Sequence, residues 1–202
     1  MTLQRKKLLV LLAALLTVPL LLFALQALLG KVRSEDEYRL EAQRLMNANE
    51  MPALQTLAEE WQRIYPQSPT APLARADALA GTGKLEPAAK LYEQILKNAP
   101  QQPDVWARFG AALFNLGRYP EAMTACRNAL QLDPTQEKAM MCLGLAAGFS
   151  GLSAELTTAQ QSLAVRNPGL ASELRRVILQ HACPRQAAQL GAAWCAQSMG
   201  GQ

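Results

Sequence analysis

Residues 103–136 read PDVWARFGAALFNLGRYPEAMTACRNALQLDPTQ, and this stretch decides the fold. Trp106, Phe109 and Leu113 fall at helical spacing and read as core. Gly117 then breaks the run, and a second one carries Ala122, Cys126, Ala129 and Leu130 before Pro134. Two helical runs separated by a glycine and closed by a proline predict a pair of antiparallel helices. Gly110, Ala122 and Ala129 are small enough to let the two helices approach closely, where larger side chains would overpack. Gly117 supplies the backbone freedom the turn needs. Pro134 cannot continue the second helix.

The pattern recurs. Pro66, Pro100, Pro134 and Pro168 are each 34 residues apart, and Gly83, Gly117 and Gly151 keep the same step. Ala88 pairs with Ala122 in this register, and Leu85 with Tyr119. With Trp106, Phe109-Gly110, Gly117-x-Tyr119, Ala122, Ala129-Leu130 and Pro134, the central stretch resembles the tetratricopeptide repeat (TPR). The unit at 69–102 keeps Gly83, Ala88, Tyr92, Ile95 and Pro100 but has Pro72 where the large aromatic is expected. The unit at 137–170 keeps Leu143-Gly144, Gly151, Leu163 and Pro168. Its Leu156 replaces a small residue, so its two helices are expected to sit further apart. A degenerate unit at 35–68 holds Tyr38, Ala42, Leu54, Trp61 and Pro66. The resemblance covers about two thirds of the chain and implies an all-α solenoid of helical hairpins.

Before the repeats comes LLVLLAALLTVPLLLFALQALL, residues 8–29, without a charge. As a helix it is roughly 33 Å long, enough to cross a hydrocarbon core of about 30 Å, with a kink expected at Pro19. A cleaved signal peptide is the competing reading. Its apolar region is typically about 7–15 residues, and Leu25 stands where cleavage before Leu28 would want a small side chain. We therefore expect an uncleaved anchor over 8–29 between a cytoplasmic 1–7 and a linker at 30–34. Arg5, Lys6 and Lys7 on the short side outweigh Lys31 and Arg33, which places the body outside the cytoplasm, the periplasm in a Gram-negative cell.

The formal charge of +4 belongs to this boundary. After Arg33 the chain holds fifteen basic and sixteen acidic residues, so no basic face for nucleic acid is expected. Ser34 and Glu37 form a capping box that starts the first helix of the body.

The segment 171–202 departs from the period. Leu170, Leu174, Val177 and Ile178 make one apolar face, as a helix capping the array would. A second short helix is expected from Pro184, carrying Ala188, Leu190 and Trp194, and the residues from Ser198 onward are expected to lack order. The alternative is that the tail folds into its own groove with Trp194 as a built-in ligand.

Cys126 and Cys142 lie eight residues either side of Pro134, at one height in a hairpin turning there. The TPR resemblance makes position 126 a buried small residue, and the two are expected as separate core side chains. Cys183 and Cys195 are twelve residues apart and would bond only if the chain bends, as at Gly191. This is the disulfide expected in an oxidising compartment.

Chemistry finds little support. His181 is the single histidine and falls near a helix end. No Cys-x-x-Cys pair or zinc spacing occurs, and Gly81-Thr-Gly83-Lys reads as an inter-helix turn, not a phosphate loop. No catalytic residue, cofactor, metal or small-molecule substrate is expected.

The TPR resemblance implies a concave surface lined by the first helix of each unit. Its contact positions carry over to Arg39, Gln43, Asn47, Leu73, Asp77, Ala111, Phe114, Asn115, Lys138, Met141, Leu145 and Phe149. The basic clamp of chaperone-binding members is not reproduced. Phe114, Met141, Leu145 and Phe149 offer instead an apolar groove for a peptide or helix, or the surface on which the cap helix packs. The overall plan is similar to bacterial periplasmic assembly factors, including those of cytochrome c maturation and nitrite-reductase assembly. The expected function is a membrane-anchored scaffold or chaperone adaptor for an envelope complex, with a constitutive structural subunit as the alternative.

Overall fold

The computed structural model describes residues 33–191 and Cys195. The anchor expected over 8–29, with Pro19, lies outside the described residues, as do Trp194 and the tail from Ser198. No helix among the described residues is long and apolar enough to cross a membrane. By its contacts the chain divides into two compact units, residues 1–40 and 41–202.

In the first unit the capping box forms as written. Glu37 N–H donates to Ser34 Oγ at 3.3 Å, and Ser34 N–H to Glu37 Oε2 at 2.8 Å. Helix α1, Glu35–Asn47, begins there and continues into the second unit.

The second unit is a stack of helical hairpins. The first helices of its repeats (A helices) after α1 are α3 (Ala71–Gly81), α5 (Pro103–Asn115) and α7 (Glu137–Phe149). The second helices (B helices) are α2 (Met51–Ile64), α4 (Leu85–Asn98), α6 (Tyr119–Leu132) and α8 (Ser153–Arg166). Every B helix starts and stops 34 residues after the one before. Consecutive A helices touch, α3 with α5 and α5 with α7, so they form one continuous layer.

The backbone explains the period. At each A–B turn one residue takes the left-handed conformation: Asn49 at φ 57°, Gly83 at 78°, Gly117 at 77° and Gly151 at 74°. The next amide reaches back five residues: Glu50 to the Leu45 carbonyl, Lys84 to Leu79, Arg118 to Leu113 and Leu152 to Ala147, each at 2.9 Å. This is the Schellman closure, which satisfies carbonyls that a helix end leaves without partners. Asn49 fills the glycine position of the degenerate first repeat, because asparagine tolerates left-handed backbone better than most residues. At the far end of each B helix the residue before proline is pushed to extended backbone: Tyr65, Ala99, Asp133 and Asn167, with φ between −122° and −144°.

Leu54, Trp61, Tyr92, Leu113 and Leu163 are buried between the helices, each large side chain contributing about 1.5–3 kcal/mol by its removal from water. Leu156 is fully buried too, in a cluster with Ala146 and Ala147. The small residues of this repeat stand on its A helix, where Ala139, Gly144, Ala146, Ala147 and Gly148 are all buried.

The cap is α9, Pro168–Val177, continued by a π turn at Ile178–Ala182 and then α10, Cys183–Leu190. Asn167 caps α9 by accepting from Leu170 N–H at 3.2 Å. Pro184 has no N–H to give to the turn before it, and the wider π turn absorbs that loss. Leu174 and Ile178 are buried against α7, in the room left by Gly144 and Gly148.

Two disulfides join all four cysteines. Cys183 and Cys195, with Cα atoms 5.9 Å apart, are bonded across a reversal at Gly191, whose φ is +88°. The expectation of separate side chains at Cys126 and Cys142 is corrected: they are bonded, with Cα atoms 6.2 Å apart. α6 and α7 run antiparallel about Pro134 and bring the pair level. Gly110 leaves the space for the sulfurs, since a Cβ there would collide with both Sγ atoms.

Candidate protein-binding surfaces

The A-helix positions singled out by the sequence are all exposed or half-buried. Arg39, in the first unit, is exposed and bonds Asp36 at 2.5 Å. Gln43 Nε2 donates to Asn47 Oδ1 at 3.0 Å, and both are exposed on the last turns of α1. Ala111, Asn115 and Lys138 are exposed or half-buried, and Leu73, Met141 and Leu145 are half-buried. The residues between them, including Ala74, Ala76, Ala107, Ala112, Ala139 and Ala146, are buried. In α3, α5 and α7 most of the buried residues are small, while larger side chains such as Leu73, Phe114 and Met141 stay partly open.

Phe114 and Phe149 are brought together. Their rings meet edge to face with centroids 5.3 Å apart, and Tyr119, at the start of α6, stands 5.5 Å from each. All three rings are half-buried, forming an apolar contact that crosses from one repeat to the next. The sequence assigns Tyr119 only a place in the repeat pattern. Met141, Leu145 and Phe149 also pack against the cluster that contains the cap residues Leu174 and Ile178.

Asp77 is engaged within the fold. It accepts the Tyr92 hydroxyl at 2.7 Å and pairs with the Arg108 guanidinium, joining α3, α4 and α5. Burial, then the Asp77 charge, pushes the Tyr92 phenol far above its ordinary range. Burial opposes the Arg108 charge, but Asp77 outweighs it and holds the guanidinium more firmly protonated. The repeat pattern includes Tyr92 and is silent on Arg108. The clue lies in opposite charges 31 residues apart, one repeat less a helical turn.

A second surface is not marked by the repeat register. Between α4 and α6, with α5 as its floor, lies an open cleft of about 630 Å³. Trp106, Phe109 and Leu113 form its floor, and Glu86, Lys90, Glu93, Lys97, Arg118 and Glu121 its rim. Of the three floor residues only Leu113 is fully buried. Trp106 and Phe109 pack against the core as expected, yet both are half-buried, because α4 and α6 stand apart above them. The Trp106 indole donates to the Pro100 carbonyl at 2.8 Å. The rim charges largely answer one another, Glu93 with Lys97 at 2.9 Å and Arg118 with Glu121 at 2.5 Å. His181 is exposed on the π turn.

Comparison with known proteins agrees with this architecture. Residues 73–137 match the family model described as Tetratricopeptide repeat. Small glutamine-rich tetratricopeptide repeat-containing protein 2 of Mycosarcoma maydis is 30% identical over 118 residues, which is 58% of this chain. The chain spans about a third of that relative's length, 33%. Among solved structures, a thermophilic TPR protein of Thermus thermophilus, TTC0263, superposes with a TM-score of 0.64 at 16% identity, over 82% of this chain and 90% of that one. MamA from Desulfovibrio magneticus RS-1 superposes with a TM-score of 0.61 at 21% identity, over 80% and 91%. The chain thus carries tetratricopeptide repeats over 73–137 and has the helical-hairpin fold of a TPR protein. The flanking repeats, at 35–68 and 137–170, stand on the repeated backbone geometry.

Proposed function

We propose that this protein is a membrane-anchored scaffold that holds other proteins during assembly of a complex at the cell envelope. Its repeat body faces the extracytoplasmic side, and a peptide or helix binds along the A-helix layer. The observation that carries the reading is the two-sidedness of α3, α5 and α7: small residues fill the stack while Leu73, Phe114, Met141, Leu145 and Phe149 stay open in part. Apolar anchors on three consecutive A helices suit a partner recognised by spaced side chains along one helix or extended segment. The anchor rests on the uncharged run at 8–29 and its basic N-terminal flank. The compartment is supported by the cysteines, all paired, since disulfides persist in oxidising compartments.

Photo-crosslinking from position 114, in place of Phe114, in native membranes tests this. A discrete adduct to another protein, identified by mass spectrometry, supports the A-helix surface. Adducts confined to the chain itself remove it.

A second reading is favoured by the α4–α6 cleft, whose Trp106 and Phe109 are open to a partner. A crosslinker at position 109 that captures a protein when one at 114 does not moves the binding surface there. A constitutive subunit is the further alternative: a fragment from residue 34 onward would then aggregate through its uncovered apolar face, where a scaffold fragment stays monodisperse.

A further inference from the structure

The A–B turn is open in two repeats and covered in a third. A Cβ built at Gly83 or Gly117 would meet nothing within 4 Å, whereas one at Gly151 would run into Gln189 Cβ at 2.6 Å and Gln186 Oε1 at 3.3 Å. The three glycines share the same left-handed φ, so the difference lies in what covers the turn, and that is α10. Gln186 leaves helical backbone, at φ −123° and ψ 16°, and its Nε2 donates to the Phe149 carbonyl at 3.2 Å. That carbonyl ends α7, where a helix has acceptors to spare.

α10 is only eight residues long, well short of the length at which a helix holds by itself in water. Its first residue, Cys183, is bonded to Cys195 beyond the Gly191 reversal. Cys126–Cys142 is built differently. It joins two fourteen- and thirteen-residue helices that the repeat stack already holds together.

We infer that α10 is a redox-held clasp. The Cys183–Cys195 bond keeps it over the Phe149–Gly151 turn, and reduction by a dithiol releases it and lengthens the open A-helix face by that turn. One thiolate of the dithiol attacks a sulfur of the bond, giving a mixed disulfide while the displaced cysteine leaves as thiolate and takes up a proton. The second thiol closes the reagent's own disulfide and frees the other cysteine, so two electrons pass from dithiol to protein. The consequence for binding rests on the A-helix reading above; the clasp does not.

Amide hydrogen exchange of the full-length chain in detergent tests the clasp. In Cys183→Ser/Cys195→Ser, peptides covering 183–190 and 145–152 exchange faster by about tenfold or more, while α3 to α6 keep their protection. Dithiothreitol treatment of Cys126→Ser/Cys142→Ser, which retains only the Cys183–Cys195 bond, produces the same local change, and re-oxidation reverses it. Unchanged exchange at 183–190 overturns the clasp. So does loss of protection throughout α3 to α6, because the bond would then hold the whole body. Photo-crosslinks from positions 114 and 149 in native membranes read the consequence separately. Release of the clasp raises protein adducts at 149 relative to 114, and an absence of adducts at both sinks the A-helix reading alone.

Discussion

The Arg108 guanidinium of α5 pairs with the Asp77 carboxylate of α3, so consecutive repeats are tied by a carboxylate that also accepts the Tyr92 hydroxyl. Asp77 is 11% exposed and Arg108 33%. Removing one partner leaves a partly desolvated charge without its counter-ion. Asp77→Asn or Arg108→Met is expected to cost about 1–3 kcal/mol, discounted for the solvent that still reaches Arg108. A double-mutant cycle by urea denaturation should return a favourable coupling between them. Additive losses would mean the pair contributes nothing.

Tyr92 makes the same cluster sensitive to alkali. Its folded-state pKa lies above the unfolded value near 10, so the folded chain retains a proton that the unfolded chain gives up. The stabilisation is complete below about pH 10 and is lost as pH rises beyond it. Denaturant midpoints should therefore fall across that range in the wild type and fall less steeply in Tyr92→Phe. Equal slopes would show that another group carries the alkaline loss.

Two glycines of one repeat should fail for different reasons. Gly110→Ala places a Cβ against the Cys126–Cys142 sulfurs and should cost about 1–3 kcal/mol by overpacking. Gly117→Ala meets no neighbour within 4 Å but must hold φ near 77°, which costs about 1–2 kcal/mol. Reducing the disulfide should ease the first defect and leave the second unchanged, as thermal denaturation with and without dithiothreitol can report.

The disulfide itself closes a separation of 16 residues between α6 and α7. Cys126→Ala/Cys142→Ala should lower stability by about 3 kcal/mol, chiefly by freeing the unfolded chain. The helix content of the folded state, read by circular dichroism, should not change.

The repeat is legible in the sequence because its signals are local. Pro66, Pro100, Pro134 and Pro168 each dictate the backbone of the residue before them, and Gly83, Gly117 and Gly151 each take a conformation that few other residues accept. The fourth turn is hidden because Asn49 performs it without being a glycine. The Cys183–Cys195 bond is legible from Gly191, a bend visible in the sequence. Cys126–Cys142 escapes such a reading because its decisive feature is a third residue, Gly110, on another helix. The same holds at the surfaces. The register carried over from the TPR resemblance finds the open side of α3, α5 and α7, but the part Tyr119 plays and the gap over Trp106 depend on how repeats stack, which no single repeat encodes.

The four Schellman closures each span six residues, and each needs nothing from the neighbouring repeat. A chain emerging N-terminus first during synthesis can therefore close one hairpin before the next has appeared. The order of synthesis and the order of assembly then coincide. Cys126, by contrast, must wait, because its bonding partner Cys142 belongs to the repeat after it.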